Sequence, residues 1–272
     1  MVSRPNAVGD IRVGIGGWNF PAWRGNFYPA GLVQRDELEY ASSRLGTIEI
    51  NSTFYRAQKP ATYARWATQT PQDFVFAVKA PRYVSQSRAL GTAGAAAQRF
   101  LSGGVAELGS RLGPILWQLA PNRKFDHDDL AAFLDGLPRD LEGRALRHVL
   151  EVRHDSFLDA AYVQLARDHG VATVFTDSDQ YPSLADITGD FIYARLMLTR
   201  ENFNTGYPSE ALDDWAQRAR AWSRGKDPSD LPHIGDGTGS KRGRDVFVYF
   251  ISGAKARNPA AAIALMERIS RG

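Results

Sequence analysis

The chain contains eight short apolar segments, none longer than eight residues, which are rich in Val, Ile, Phe and Tyr. Segments of this length and composition favour β-strands over helices. Most of them end in polar or charged residues and precede a stretch with helical spacing of apolar residues. The eight segments cover residues 11–18, 48–55, 74–81, 115–121, 148–154, 172–177, 191–197 and 246–252.

Amphipathic stretches of helical length lie between these segments, at residues 129–137, 159–169, 209–222 and 259–268. Strands that alternate with helices predict right-handed βαβ crossovers and a parallel sheet. A count of eight favours closure of that sheet, so the predicted fold is α/β, a single (β/α)₈ TIM barrel. We expect one domain over residues 1–272, since the length is close to the usual ~250 residues of such a barrel. An open, doubly wound sheet is the alternative.

Composition excludes several classes of protein. The chain has no Cys, which rules out disulfides, thiolate metal sites and a Cys nucleophile. No run approaches twenty apolar residues, and residues 1–10 lack the apolar core of a signal peptide. We therefore expect a cytoplasmic protein with no membrane contact. The net charge of +3 is compatible with nucleic-acid binding without arguing for it, and the sequence does not indicate an oligomeric state.

The polar segment 223–245 contains the basic cluster Lys241-Arg242-Gly243-Arg244. It joins the seventh helix to the eighth strand, which places it on the amino-terminal face of the barrel. We expect a flexible surface loop here. The glycine spacing in 235–241 does not match a phosphate-binding loop.

The ends of the strands carry polar side chains where an ordinary barrel core has Val or Ile. The residues at or near these ends are Glu49, Asn51, Lys79, Gln118, Glu151, Arg153, Asp177, Arg195 and Tyr249. Function in this fold is concentrated at the carboxyl-terminal ends of the strands. Buried charges must pair with one another or with a ligand. The pattern therefore predicts either a ligand site or a structural network in which Glu49, Glu151 and Asp177 neutralise Lys79, Arg153 and Arg195.

The loops that follow the strands strengthen the ligand interpretation. Residues 18–29 are dense in aromatic side chains, which either cap the barrel or stack on a ligand. Arg82, Tyr83 and Arg88 follow the third strand. Arginine suits bidentate recognition of phosphate or carboxylate, so an anionic small molecule is the expected partner.

Several motifs follow one another in a specific order along nearly the whole chain. They are GIGGW at 14–18, WRGNFYP at 23–29, INSTFYR at 50–56, FAVK at 76–79, GPILWQL at 113–119, EVRH at 151–154, DS at 177–178, YARL at 193–196 and YF at 249–250. In these motifs the chain resembles the YecE-like family, whose domain is known as domain of unknown function 72. The resemblance implies a TIM barrel and brings no established reaction.

The resemblance carries over ten residues: Trp18, Asn51, Tyr55, Lys79, Gln118, Glu151, Arg153, His154, Asp177 and Arg195. Three positions depart from the pattern of many relatives. Ser85-Gln86 stands where Thr-His is common, Met197-Leu198 replaces His-Gly, and Ile251-Ser252 replaces an Asn-rich turn. These departures predict altered specificity or lost activity if the missing groups carry the family's chemistry.

Three functions remain open. The first is a hydrolase or lyase with Glu151, Asp177 and Lys79 as catalytic groups. The ligand would be bound by Trp18, Asn51, Tyr55, Arg82, Gln118, Arg153, His154, Arg195 and Tyr249. The second is an isomerase or nuclease with a divalent metal on Glu49, Glu151, His154 and Asp177, although no cofactor or metal is the favoured expectation. The third is a non-catalytic module that binds nucleic acid through the Arg and Tyr side chains at the rim.

Overall fold

The computed structural model describes residues 8–235 and 242–272. Eight parallel strands form the barrel: β1 (Ile11–Gly16), β2 (Thr47–Ile50), β3 (Val75–Lys79), β4 (Leu112–Gln118), β7 (His148–Glu151), β8 (Ala172–Asp177), β9 (Phe191–Leu196) and β10 (Asp245–Phe250). They close in the order β1-β10-β9-β8-β7-β4-β3-β2. The predicted TIM barrel is confirmed and the open sheet is wrong.

Two short strands, β5 (Asp140–Leu141) and β6 (Arg144–Ala145), form an antiparallel hairpin outside the barrel. The sequence pattern did not indicate this hairpin. Strand β2 also differs from its predicted bounds, because residues 52–55 leave the strand and form a short helix. Phe54 and Tyr55 of that helix continue the aromatic, strand-like composition, so the end of the strand is not visible in the pattern.

The helices surround the barrel and are α1 (Glu37–Arg44), α2 (Ser52–Tyr55), α3 (Pro60–Thr68), α4 (Arg82–Ser85), α5 (Gly94–Ser102), α6 (His127–Asp135), α7 (Ala160–Asp168), α8 (Ser209–Ser223) and α9 (Asn258–Ser270). The Asp126 carboxylate caps the start of α6, accepting a hydrogen bond from the Asp129 backbone at 3.0 Å. Asp159 caps α7 in the same way, through the Ala161 N–H at 2.8 Å. The four helices predicted from spacing all exist, and none of their ends is shifted by more than two residues.

Strand residues alternate between two apolar layers. Outward residues pack under the helices, as Phe175 does with its ring centroid 5.5 Å from that of Trp215 on α8. Inward residues such as Leu116, Val149 and Tyr193 fill the barrel. This period of two determines which strand residues share the barrel interior.

The layer of inward side chains at the carboxyl-terminal end of the barrel is polar. It contains Glu49, Lys79, Gln118, Glu151 and Arg195, which are the inward residues at the ends of β2, β3, β4, β7 and β9. All five side chains are buried. This polar layer therefore lies directly above the apolar interior of the barrel.

The amino-terminal end of the barrel has a cavity of about 730 Å³, lined in part by Arg147, Arg167, Arg242 and Arg244. Asp245 pairs with Arg147 at 2.6 Å, and Asp186 lies 3.7 Å from Arg167. Carboxylates thus neutralise part of the positive charge at this face, which is opposite the polar layer.

Within the segment 223–245, the described residues 242–245 line the cavity at the amino-terminal end of the barrel. Asp186 accepts hydrogen bonds from the backbone of Ile234 and Gly235, both at 2.8 Å. Residues 236–241, including Lys241 of the basic cluster, lie outside the described residues. Among the described helices, none is long and apolar enough to cross a membrane.

Candidate active site

Arg195 lies at the centre of the polar layer. Its guanidinium donates to Glu151 Oε2 at 2.6 Å and to Glu49 Oε1 at 3.1 Å. The three side chains are 2 % exposed or less, so both ion pairs are shielded from water. A buried guanidinium with two carboxylates is a rigid unit, because separating any pair leaves an uncompensated buried charge.

Two further groups complete the surroundings of Glu151. Arg153 donates from Nε to Glu151 Oε1 at 2.8 Å, and Gln118 donates to Oε2 at 2.7 Å. Arg153 also donates to the Tyr181 hydroxyl at 3.1 Å and lies over that ring, with 4.1 Å between Cζ and the ring centroid. Every oxygen of Glu151 is therefore occupied by a protein donor.

These partners set the charge of Glu151. Burial alone would raise its pKa, but Arg195, Arg153 and Lys79 outweigh burial and lower the pKa to about 2. A carboxylate with such a pKa stays ionised at neutral pH. Glu151 is thus suited to hold charge and poorly suited to carry protons.

Lys79, the last residue of β3, lies in the same layer without an ionic partner. Its side chain is 7 % exposed, and Nζ lies 4.2 Å from the centroid of the Phe54 ring. Within residues 8–235 and 242–272, no hydrogen bond or ion pair joins Nζ to another side chain. Burial and the positive charge of Arg195 lower the pKa of Lys79 to about 8, against the smaller opposing effects of Glu49 and Glu151.

The charges explain why Lys79 has no partner. Glu49 and Glu151 are both engaged by Arg195, and Arg153 takes the remaining oxygen of Glu151. Two carboxylates therefore face two guanidiniums and one ammonium. The layer has an excess of positive charge whenever Lys79 is protonated.

Tyr193 is a member of this network that the sequence analysis did not single out. Its hydroxyl donates to Glu49 Oε2 at 2.7 Å, and its ring is fully buried. Burial and the Glu49 carboxylate raise its pKa well above the usual value. The signal was available, because Tyr193 precedes Arg195 by two residues and so shares its face of β9.

Asp177 does not join the polar layer, contrary to its grouping with the strand-end residues. Its carboxylate accepts a hydrogen bond from the Tyr207 hydroxyl at 2.7 Å. It follows Thr176, which is inward and level with Arg195, so Asp177 itself points outward towards α8. Burial raises the pKa of Asp177, against the opposing effect of the Tyr207 hydrogen bond.

Tyr249 is inward but does not face a ligand-accessible surface. The ring is 0 % exposed and packs against Tyr193 with centroids 4.8 Å apart. Its hydroxyl lies 2.8 Å from Thr47 Oγ1. Tyr249 therefore belongs to the apolar interior below the polar layer.

His154 has a local role in the structure. Its Nδ1 accepts a hydrogen bond from the Ser156 backbone at 3.1 Å and so caps the turn over Asp155–Phe157. No group of three His, Cys, Asp or Glu side chains that could hold a metal ion occurs among the described residues. The four proposed metal ligands Glu49, Glu151, His154 and Asp177 are not brought together.

The aromatic loop after β1 caps the barrel. Trp23 is buried and donates from Nε1 to the Lys255 carbonyl at 2.9 Å, while the Tyr28 hydroxyl donates to the Trp18 carbonyl. The Trp18 ring meets Trp66 edge-on, with centroids 5.2 Å apart. These contacts favour the capping interpretation over ligand stacking for Trp18.

An ion pair in this loop was not visible in the sequence. Arg24 donates from Nε to Glu37 Oε1 at 2.7 Å, and the Glu37 side chain is 0 % exposed. Arg24 and Glu37 lie thirteen residues apart, in a loop and a helix whose approach depends on the barrel. No local spacing indicates such a pair.

The rim of the barrel carries the remaining candidate residues. Tyr55 is 70 % exposed and Arg82 is also exposed, next to Tyr83, which is 55 % exposed. Asn51 is half-buried, and its amide donates to the Glu49 carbonyl at 3.4 Å. Only Tyr55 and Arg82 among these predicted ligand-binding residues project into solvent.

The three departures from the family pattern lie around the same end of the barrel. Ser85 is fully buried in α4, and among the described residues its hydroxyl has no hydrogen-bond partner. Met197 directly follows β9 and is 7 % exposed. Ser252 follows β10 with a φ of 63°, a left-handed conformation that favours glycine or asparagine.

A family model and several solved structures relate this chain to one family. The family model described as a protein of unknown function, DUF72, matches residues 12–272. A DUF72 family protein of Thermotoga maritima MSB8 superposes with a TM-score of 0.74 at 20% sequence identity, covering 96% of this chain and 99% of that one. A DUF72 family protein of Enterococcus faecalis V583 gives a TM-score of 0.68 at 14% identity, covering 96% and 95%. Among curated proteins, none matches this chain.

Proposed function

Since the chain belongs to the DUF72 family, a family of TIM-barrel proteins, we propose that it is an enzyme that performs acid–base chemistry of the hydrolase or lyase type. Its substrate is a small anionic or phosphorylated molecule bound at the carboxyl-terminal end of the barrel. The observation that carries this proposal is Lys79, a largely buried side chain whose ammonium group lacks a carboxylate partner among the described residues.

An ammonium group on a largely buried side chain is costly in a folded protein when it has no counter-ion. Glu49 and Glu151 do not supply this counter-ion, because Arg195 and Arg153 already engage them. An anion that enters the polar layer relieves the cost. Binding of an anion beside Lys79 therefore supplies the counter-ion that the protein lacks.

The pKa of Lys79 supports the acid–base part of the proposal. A general acid or base is most effective when its pKa lies near the working pH, and the Lys79 pKa of about 8 meets this condition. Glu151, with a pKa of about 2, does not. In this proposal Lys79 moves the proton, while Glu151 and Arg195 hold the surrounding charges in place.

A thermal-shift experiment tests the proposal. The protein is screened against inorganic phosphate, sugar phosphates, 2-oxo acids and nucleotides beside two variants, Lys79→Met and Lys226→Met. Lys226 is an exposed lysine after α8, so its variant removes the same charge elsewhere. A ligand at a hundredfold excess over its Kd stabilises the folded state by about 2.7 kcal/mol.

We expect an anion to raise the Tm of the parent and of Lys226→Met, and to leave Lys79→Met unchanged. A shift of equal size in Lys79→Met contradicts the assignment of the site. The absence of a shift with every anion contradicts the proposed substrate class.

The exposed rim supports a second candidate, a module that binds single-stranded nucleic acid. Tyr55 and Tyr83 are exposed rings of the kind on which bases stack, and Arg82 adds a cation beside them. Such binding weakens steeply with salt. Fluorescence anisotropy with a labelled oligonucleotide at two salt concentrations, for the parent and for Tyr55→Ala, separates this candidate from a small-molecule enzyme.

A further inference from the structure

We propose that Lys79 is a nucleophile that forms an imine with the carbonyl carbon of an aldehyde or ketone bearing a carboxylate or phosphate group. This inference rests on the proposed function and names the substrate class of the same site. It assigns to Lys79 a covalent step in addition to binding and proton transfer.

The surroundings of Nζ leave its lone pair accessible for reaction. Lysine amines in proteins are usually protonated and exposed, or paired with carboxylates. The Lys79 side chain is only 7 % exposed, and its Nζ lies 4.2 Å from the centroid of the Phe54 ring. Among the described residues, no side chain forms a hydrogen bond or an ion pair with this nitrogen. When the amine is neutral, the lone pair of Nζ therefore accepts no hydrogen bond from the described residues and is available to react.

The neighbouring charges favour loss of the proton. Burial and the positive charges of Arg195 and Arg153 lower the pKa of Lys79. The carboxylates of Glu49 and Glu151 raise it, but by less. With a pKa of about 8, roughly a tenth of Lys79 is neutral at pH 7, since each unit of pH changes the ratio tenfold. Amines made nucleophilic by desolvation and neighbouring cations are those that form Schiff bases with carbonyl substrates.

The same charges select an anionic carbonyl compound. Arg153 is 16 % exposed, whereas Arg195 is closed off at 2 %, so Arg153 is the guanidinium that an incoming group can meet. Arg153 is close enough to Lys79 for the two charges to interact, so we expect a carboxylate or phosphate held by Arg153 to bring an adjacent carbonyl group towards Nζ. A neutral ketone has no comparable interaction and is expected to bind weakly.

The reaction balances without an oxidant or a reductant. The Nζ lone pair attacks the carbonyl carbon, the π electrons move to oxygen, and a proton passes from nitrogen to that oxygen to form a carbinolamine. The hydroxyl group then leaves as water with a proton from solvent, and the nitrogen lone pair forms the C=N bond of an iminium ion. The iminium nitrogen returns one proton to solvent, which leaves the neutral imine. The net change is condensation of one amine and one carbonyl with release of one water.

Reductive trapping tests the inference. The protein is incubated with pyruvate or glyceraldehyde 3-phosphate in the presence of sodium cyanoborohydride, with acetone as the neutral probe. Hydride reduces the C=N bond to a stable secondary amine, which adds the mass of the probe less one oxygen atom. Peptide mapping by mass spectrometry then locates the modified lysine in the parent, in Lys79→Met and in Lys226→Met.

We expect one adduct at Lys79 in the parent and in Lys226→Met, and none in Lys79→Met. Acetone is expected to label Lys79 at least about tenfold more slowly, because it lacks the charge-assisted contact of an anion. The rate of trapping by pyruvate is expected to rise with pH through the Lys79 pKa of about 8.

Three results overturn the inference: no adduct at Lys79, an adduct spread evenly over the exposed lysines Lys59, Lys124 and Lys226, or the same adduct in Lys79→Met. The thermal-shift experiment separates this failure from failure of the proposed function. If an anion shifts the Tm through Lys79 but no imine is trapped, the binding site stands and the covalent step is wrong. If neither occurs, both are wrong.

Discussion

Arg195 on β9 binds Glu151 on β7 at 2.6 Å and Glu49 on β2 at 3.1 Å, so one guanidinium connects strands on different sides of the barrel. Strand β9 is separated from β7 by one strand and from β2 by two. The two ion pairs therefore cross the barrel interior. They stabilise the carboxyl-terminal end of the barrel and also form part of the candidate site.

Replacement of Arg195 by Met tests this structural role. The variant leaves Glu49 and Glu151 buried with less charge compensation, and removal of one partner of a buried pair costs about 3–5 kcal/mol. We expect Arg195→Met to lower the free energy of unfolding by this amount, measured by urea denaturation. Arg218→Met is the matched control, since its pair with Asp230 lies near the surface and contributes about 1 kcal/mol or less. Equal effects of the two variants would show that the crossing pairs do not support the barrel.

The lowered pKa of Lys79 leads us to expect that the free energy of unfolding rises with pH in the alkaline range. Its pKa is about 8 in the folded chain and 10.5 for an ordinary lysine. Between these values the unfolded chain binds the proton and the folded chain does not, so stability rises with pH across this window. The gain is up to about 3 kcal/mol, at 1.36 kcal/mol per pKa unit. Below pH 8 the gain is lost, because the buried amine is protonated as well.

Lys79→Met isolates this contribution, because other groups titrate equally in both proteins. We expect the variant to be more stable than the parent at pH 7, and the difference to shrink towards pH 10. Chemical denaturation at both pH values gives the measurement. A difference that stays constant with pH would contradict the unpaired, desolvated ammonium group.

His148 predicts loss of stability in acid. Burial is the main cause that lowers its pKa to about 4, from 6.5 for an ordinary histidine, against the opposing hydrogen bond to Pro138. Its Nδ1 accepts from Trp117 Nε1 at 3.0 Å, so the ring is held in its neutral form. Because the folded pKa is depressed, stability is present above pH 6.5 and is lost as pH falls to about 4, by up to about 3 kcal/mol.

The measurement for His148 is urea denaturation at pH 7 and pH 4.5, for the parent and for His148→Gln. The variant is less stable at pH 7, because it disturbs a buried hydrogen bond, but it lacks the titrating ring. We therefore expect its stability to fall less than that of the parent between the two pH values. Parallel losses would assign the acid sensitivity to carboxylates instead.

The close approach of β1 and β2 at Gly14 explains why the GIGGW motif has glycine at this position. A Cβ at Gly14 would lie 1.8 Å from the Thr47 carbonyl oxygen, which belongs to the neighbouring strand. We expect Gly14→Ala to destabilise the barrel by about 1–3 kcal/mol or more, because the backbone must shift to admit the methyl group. Gly46→Ala is the control, since its nearest contact would be an ordinary 3.4 Å. Tm values of the two variants should differ clearly, and a tolerated Gly14→Ala would contradict the close approach of β1 and β2.

The sequence by itself determined the eight strands of the barrel, their closure and the polarity of the side chains at their carboxyl-terminal ends. Strand alternation has a period of two, so Glu49 and Arg195 were predicted to face the interior from their place in the apolar segments alone. Tyr193 follows the same rule and could have been included. The bounds of β2 were less accurate, because the apolar pattern continues into α2.

Only the tertiary structure decided which of these groups meet. Arg195 pairs with Glu49 and Glu151 because the stagger of the barrel strands brings residues far apart in sequence to the same height. That stagger leaves Lys79 without a carboxylate partner among the described residues, and the packing of the loop after β1 against α1 brings Arg24 to the buried Glu37. Ion pairing depends on distances of a few ångströms between strands, whereas the sequence pattern specifies only which face each residue occupies.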